Sequence, residues 1–288
     1  RAFSLTHINL SYRNWTATGI PGYRIMPIVD PCGMVSPFMD SWSIDAWLMD
    51  QEGKLYAAAR LPEECVHQSL QMEDCSIITE SSRNEYTLNS AVSVTTENGG
   101  ILCRIKLRPT CPPGSFLVVS VRPYNPEGIS FIHTIERLSD RCIRINEQKK
   151  ILFSESPFQY SVSQYKQGDA AMHLHNPRSE SFSTFPVGMA TAAAVFGTAP
   201  EGPESIIIDI PLKDRKDRIN KSSLYGTGWI QATEDYCRPS VPDRHFEFLY
   251  DAAVRSIILH TPDEIYPGPF TYKRFWFRDS AFILYAML

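Results

Sequence analysis

Two stretches of alternating apolar and polar residues, 91–96 and 101–107, meet at Asn98-Gly99-Gly100. A turn that short needs positive φ at its centre, which Asn and Gly adopt at little cost, so the pattern predicts an antiparallel hairpin. On the return strand Ile101, Cys103, Ile105 and Leu107 share one face and Arg104 and Lys106 the other, the period of a half-buried strand. A second hairpin is expected where 41–49 and 54–60 flank Gln51-Glu52-Gly53, with Trp42, Ile44 and Ala46 alternating against polar neighbours. Further strands are predicted at 116–122, 129–135, 142–145, 151–153, 172–175 and 205–212. Helical spacing is nearly missing before residue 235, so the expected fold is mainly β, with antiparallel sheets packed as a sandwich rather than βαβ units. Proline (21) outnumbering glycine (15), with 11% aromatics, suits many turns and broad sheet faces.

The period changes after Arg238-Pro239-Ser240-Val241-Pro242. Phe246, Leu249, Tyr250, Ala253 and Ile257 recur at helical spacing, and Asp243 is placed to cap a helix running to about His260. The chain therefore divides into a β-sandwich domain at 1–235, a linker at 236–242 and a helical segment at 243–288. The charged run 213–220 reads as a solvated loop or a short exposed helix. At the C-terminus, Ala281 to Leu288 are apolar all round, so a helix there is expected to be buried on every side. That implies the N-terminal part of a longer protein.

Several function classes are excluded at this level. The 28 basic and 32 acidic side chains give a net charge of -4 with no basic track, which argues against a nucleic-acid partner. No apolar run approaches the ~20 residues of a membrane span. The seven cysteines are scattered without C-x-x-C spacing, so free thiols, no metal and a reducing, cytoplasmic setting are expected. No cofactor signature is present: the phosphate-cradling glycine loop and the G-x-S-x-G nucleophile elbow are both missing, and Gly226-Thr227-Gly228 is too short to count. His173 and His175 would share one face of a strand, but no third ligand accompanies them. The carboxylates Asp263-Glu264, Glu63-Glu64 and Asp235 read as loop or capping residues rather than a catalytic pair.

One segment stands apart. From Tyr266 to Ser280, six aromatics, two prolines and an Arg-Asp pair are crowded between two helical stretches. Asp279 could simply cap the following helix with Arg278 as its counter-ion. Alternatively, Arg278 offers a planar fork of donors, Asp279 accepts from hydroxyls, and Trp276 supplies a flat apolar face for a sugar ring. Chemistry alone leaves both open.

Phe275-Trp276-Phe277-Arg278-Asp279-Ser280-Ala281-Phe282, after Tyr266-Pro267-Gly268, resembles the stretch that opens the catalytic barrel of glucoamylase-like enzymes, glycoside hydrolase family 15 and related six-hairpin glycosidases. The turn Arg122-Pro123-Tyr124-Asn125-Pro126-Glu127-Gly128 is similar to one found in their N-terminal β super-sandwiches. The resemblance implies a super-sandwich, a linker and the first helices of a truncated (α/α)6 barrel. It implies an oligosaccharide or α-glucan substrate, held by Arg278, Asp279 and Trp276, and an intramolecular contact with the rest of the barrel. In that family the acid and base come from later barrel loops, so no catalytic residue is assigned here and this chain alone is expected to be inactive. Two other readings stay open: a non-catalytic β-sandwich module binding carbohydrate or protein, and part of a disaccharide phosphorylase.

Overall fold

The computed structural model describes residues 14–38, 41–147, 149–174, 182–200, 202–212, 227–268 and 274–287. The predicted charged segment 213–220 lies outside them. The fold is mainly antiparallel β. One sheet of eight strands runs in the order Thr16–Ala17, Ile28–Val29, Val35–Ser36, Ser43–Met49, Phe116–Arg122, Thr191–Gly197 and Gln159–Ser163, with Leu55–Ala57 also paired to Ser43–Met49. A second, of nine strands, runs Phe182–Thr184, Thr134–Ser139, Cys142–Ile145, Lys149–Phe153, Ile206–Pro211, Gly100–Thr110, Tyr86–Glu97, Ile77–Arg83 and Val66–Leu70.

The hairpin at Asn98 forms as its turn chemistry dictates. Asn98 and Gly99 both have positive φ (51° and 75°), and Glu97 pairs with Gly100. Cys103, Ile105 and Leu107 from this strand meet Leu117, Val119 and Val121 of the first sheet in one apolar core, together with Trp42, Ile44 and Phe196. That shared core makes the two sheets a sandwich. All seven cysteines are free, Cys75 and Cys103 being buried.

The first sheet is covered on its other face as well. There a single-turn 3-10 helix, Ala170–His173, lies across the strands, and Ala170 and Leu174 pack on Trp47, Val118, Ala193 and Val195. Ser161 Oγ donates to Ala170 O (3.3 Å), and Ala170 N donates to Thr191 Oγ1 (2.8 Å). This corrects the strand expected at 172–175. Asp169 Oδ1 accepts from Ala171 N (2.9 Å) and turns the chain into the helix, so His173 does not sit on a strand face. His175 lies outside the described residues. The strand expected at 129–135 also divides: Gly128–Ile129 pairs with Tyr124–Asn125, and the ladder resumes only at Thr134–Ser139.

Among the described residues, three α-helices follow the sandwich strands. Helix α1 (Trp229–Ala232) is one turn within the stretch expected to be strand or loop. Helix α2 (Arg244–His260) begins where Asp243 Oδ1 accepts from the His245 and Phe246 amides, the predicted cap. It docks on the sandwich through Val254, Ile258 and Leu259, packed with Met26, Cys75 and Trp229. The approach is close: a Cβ on Gly19 would sit 2.7 Å from Leu259 Cδ2, so any larger residue there has to displace that side chain. Helix α3 (Phe277–Met287) forms at the apolar C-terminal run, but it is not enclosed. Phe282 is 70% exposed and Tyr285 80%, because none of the described elements packs on that flank, contrary to the burial expected on all sides. Among the described residues no helix is long and apolar enough to cross a membrane.

Candidate functional site

The Arg-Asp pair falls on the first turn of α3, with Trp276 immediately before it. That position follows from the local sequence. Ser280 N donates to Trp276 O (2.8 Å) to close the first turn, and Ser280 Oγ donates to Ile265 O (3.1 Å), tying the helix to the loop that leaves α2. The loop is itself braced. Tyr266 N donates to His260 O (3.1 Å), and buried Tyr266 donates its hydroxyl to Asp263 Oδ1 (3.0 Å). Burial pushes the Tyr266 phenol up to about 12, and the bond to Asp263 adds to the shift. Arg24, from the sandwich side, approaches Asp263 Oδ2 at 3.9 Å. Asp263 therefore braces the loop.

At the turn, Arg278 Nη2 lies 3.6 Å from Asp279 Oδ1, a loose pair with the guanidinium side chain 80% exposed. An ion pair so exposed contributes little to stability, at most about 1 kcal/mol. Asp279 stands on the helix's first turn, where its charge also suits the positive end of the peptide dipoles. The indole of Trp276 is 36% exposed, and the Arg274 guanidinium lies over it, 4.9 Å from the ring centroid. Phe275 and Phe277 flank it, both largely exposed. The arrangement offers one flat aromatic face, several guanidinium donors and one carboxylate acceptor on a braced turn. It can hold a hydroxylated ligand.

A different charged cluster was not foreseen from the sequence. Arg122, at the end of a strand of the first sheet, is 0% exposed and lies on the sheet's outer face beneath the 3-10 helix. Its Nη1 donates to Asp169 Oδ1 (2.8 Å) and Ser120 Oγ (2.8 Å), its Nη2 donates to Asp169 Oδ2, and its Nε reaches the Tyr124 hydroxyl (3.3 Å). The Trp47 ring lies 5.2 Å from the guanidinium carbon. Burial alone would lower the Arg122 pKa, but Tyr124 and Asp169 hold it above its usual value. Asp45 sits opposite Ser120 in the register; desolvation raises its carboxyl, against the pull of the Trp47 indole and Arg122. Burial likewise lifts Asp30 to about 7, with Asp45 adding to the shift and the Met34, Cys32 and Gly33 amides opposing it. With its guanidinium donating to Asp169, Ser120 and Tyr124, the Arg122 cluster is a structural ion pair. The segment quoted above for its resemblance to a family turn, 122–128, thus begins on a residue whose visible work is to hold the cover of the first sheet.

No protein-family model matches the sequence, and no curated protein matches it. Among solved structures, the chain is similar to a bacterial glucoamylase complexed with acarbose, with a TM-score of 0.48 and 9% identity over 84% of this chain and 36% of that one. It is similar also to a family GH92 α-mannosidase from Bacteroides thetaiotaomicron, with a TM-score of 0.47 and 11% identity over 86% of this chain and 39% of that one. The chain spans less than two fifths of the length of either protein.

Proposed function

We propose that this chain supplies part of the sugar-binding pocket of a glycoside hydrolase acting on α-linked glucans or oligosaccharides. The observation that carries the reading is the turn at the start of α3, where an indole face, a guanidinium fork and a carboxylate lie within four consecutive residues and stay open to solvent. Trp276 takes the apolar face of a terminal sugar ring, Arg278 donates to its hydroxyls, and Asp279 accepts from them. These groups select and hold the sugar, and bond cleavage belongs to carboxylates elsewhere. The bare flank of α3, with Phe282 and Tyr285, packs against further helices of the catalytic barrel in this reading.

The test is a titration of the chain with maltooligosaccharides, followed by tryptophan fluorescence. Saturable quenching is expected, with Arg278→Ala weakening binding by about 1.5–3 kcal/mol, the range for hydrogen bonds to a charged group. An affinity unchanged in Arg278→Ala returns the pair to a helix-capping role and removes the proposal.

A further inference from the structure

A cavity of about 400 Å³ opens between the segment following α1 and the first turns of α2. None of Trp276, Arg278 and Asp279 lines it. Its walls combine Tyr236, Phe248 and Tyr250 with Arg238, Arg244 and Glu247. The volume lies within the roughly 300–1,000 Å³ typical of small-molecule sites. Several side chains are poised rather than used up. Arg238 and Arg244 have no hydrogen-bond or ion-pair partner among the described residues. Glu247 makes only a long contact, Oε1 to Val241 N at 3.4 Å, which leaves most of its acceptor capacity free. His245 stacks on Phe248 (6.4 Å between centroids, 16° between planes) and steadies that ring at the rim.

The charge pattern narrows the ligand. An anion drawn by the two guanidinia would also meet Glu247 and Asp251, the latter already accepting from Arg255 Nε (3.3 Å), and a cation drawn by the carboxylates would meet the guanidinia. A neutral polyol suffers neither penalty. Each hydroxyl accepts from an arginine and donates to a carboxylate, so opposite charges in one wall become complementary partners. The aromatic rings then take the C–H face of a pyranose. We infer that this cavity is a binding site for an uncharged sugar ring, separate from the turn at Trp276.

Cys237 lines the cavity and its thiol is exposed, which provides a direct reporter. The experiment follows alkylation of Cys237 by iodoacetamide, read peptide by peptide by mass spectrometry, in the 1–288 chain with and without maltotriose, mannotriose or cellotriose. One of these sugars is expected to slow the reaction, about tenfold when present at ten times its dissociation constant. Arg244→Gln and Arg238→Gln, both at exposed positions, are expected to abolish the protection, while Arg278→Ala keeps it. An alkylation rate unaffected by all three sugars overturns the inference, as does protection by inorganic phosphate instead. Protection lost in Arg278→Ala but kept in Arg244→Gln also overturns it, while leaving the reading of the α3 turn intact.

Discussion

Asp169 is the position where one substitution should cost most. Its carboxylate takes two donors from Arg122, a guanidinium with no exposed surface, and at the same time accepts from the Ala171 amide to start the 3-10 helix. Asp169→Leu leaves a positive charge buried with no hydrogen-bonded carboxylate, only Ser120, Tyr124 and the Trp47 ring in contact and the Asp45 carboxyl, itself raised by burial, in electrostatic reach. Breaking a buried pair from one side costs roughly 3–5 kcal/mol, and losing the cap adds about 1 kcal/mol. At roughly 2 °C per kcal/mol for a chain of this length, Tm falls by about 8–12 °C. Replacing both partners tests whether the pair itself is responsible. The double variant Arg122→Met/Asp169→Leu removes both charges, so it should be markedly more stable than Asp169→Leu alone, because no unpaired ion is left in the interior. Urea unfolding monitored by circular dichroism gives all the free energies needed. If Asp169→Leu costs under 1 kcal/mol, or the double variant loses the sum of the two single losses, the argument from desolvated charge is wrong.

Asp30 predicts a pH dependence of definite sign. Its folded pKa, lifted by burial to about 7, lies above the unfolded value near 3.8, so the folded state binds the extra proton between them. The contribution is fully present below about pH 4 and is lost as pH rises through about 7, by roughly 1.4 kcal/mol per unit of separation. Asp30→Asn keeps an Oδ1 acceptor for the Cys32 and Met34 amides and removes the charge. It should therefore stabilise the protein at pH 8 more than at pH 5, and equal gains in urea midpoint at both would contradict the assignment. Two glycines separate backbone strain from collision. Gly99→Ala meets open space and pays only for positive φ, about 1–2 kcal/mol, whereas at Gly188 (φ +70°) the new Cβ also lies 2.5 Å from the His133 ring. Thermal melts should rank Gly188→Ala clearly below Gly99→Ala, and the reverse order would exclude steric overlap as the cause.

What the sequence made legible follows from which faces of the sheets are covered. Strands of the second sheet alternate between buried and partly exposed residues, as in Tyr86–Glu97 and Gly100–Thr110, so period-two reading found that hairpin with its turn. Thr191–Gly197 escaped notice because the first sheet is covered on both sides there: its buried residues are continuous, and three are alanines, weak in strand propensity. Ile77–Arg83 was hidden by the opposite problem, a strand whose inward positions include Thr79 and Ser81 and whose composition therefore looks like loop. The Asp243 cap and the length of α2 were readable because a cap and a helical stripe are local signals. Trp276, Arg278 and Asp279 stand out for the same reason, since they are neighbours in the chain and share one turn.

The Arg122–Asp169 pair shows where such reading stops. Forty-seven residues separate the partners, and in the sequence each looks like an ordinary surface charge. They meet because Ala170–His173 folds back over the outer face of the first sheet, and that contact depends on Ser161 and Thr191, residues of two different strands on either side of the helix in sequence. Covering a sheet on its second face with polar side chains requires an internal partner for each donor and acceptor, and the partner's identity is set only by the register of the strands. The same requirement limits what the cluster can do. With its donors committed to Asp169, Ser120 and Tyr124, Arg122 has little left to offer a ligand, whereas the arginines at 238, 244 and 278 remain available. The open guanidinium donors lie in the helical segment and the residues leading into it, where both proposed sugar contacts are, and the buried charge in the sandwich serves to hold the 3-10 cover on the first sheet.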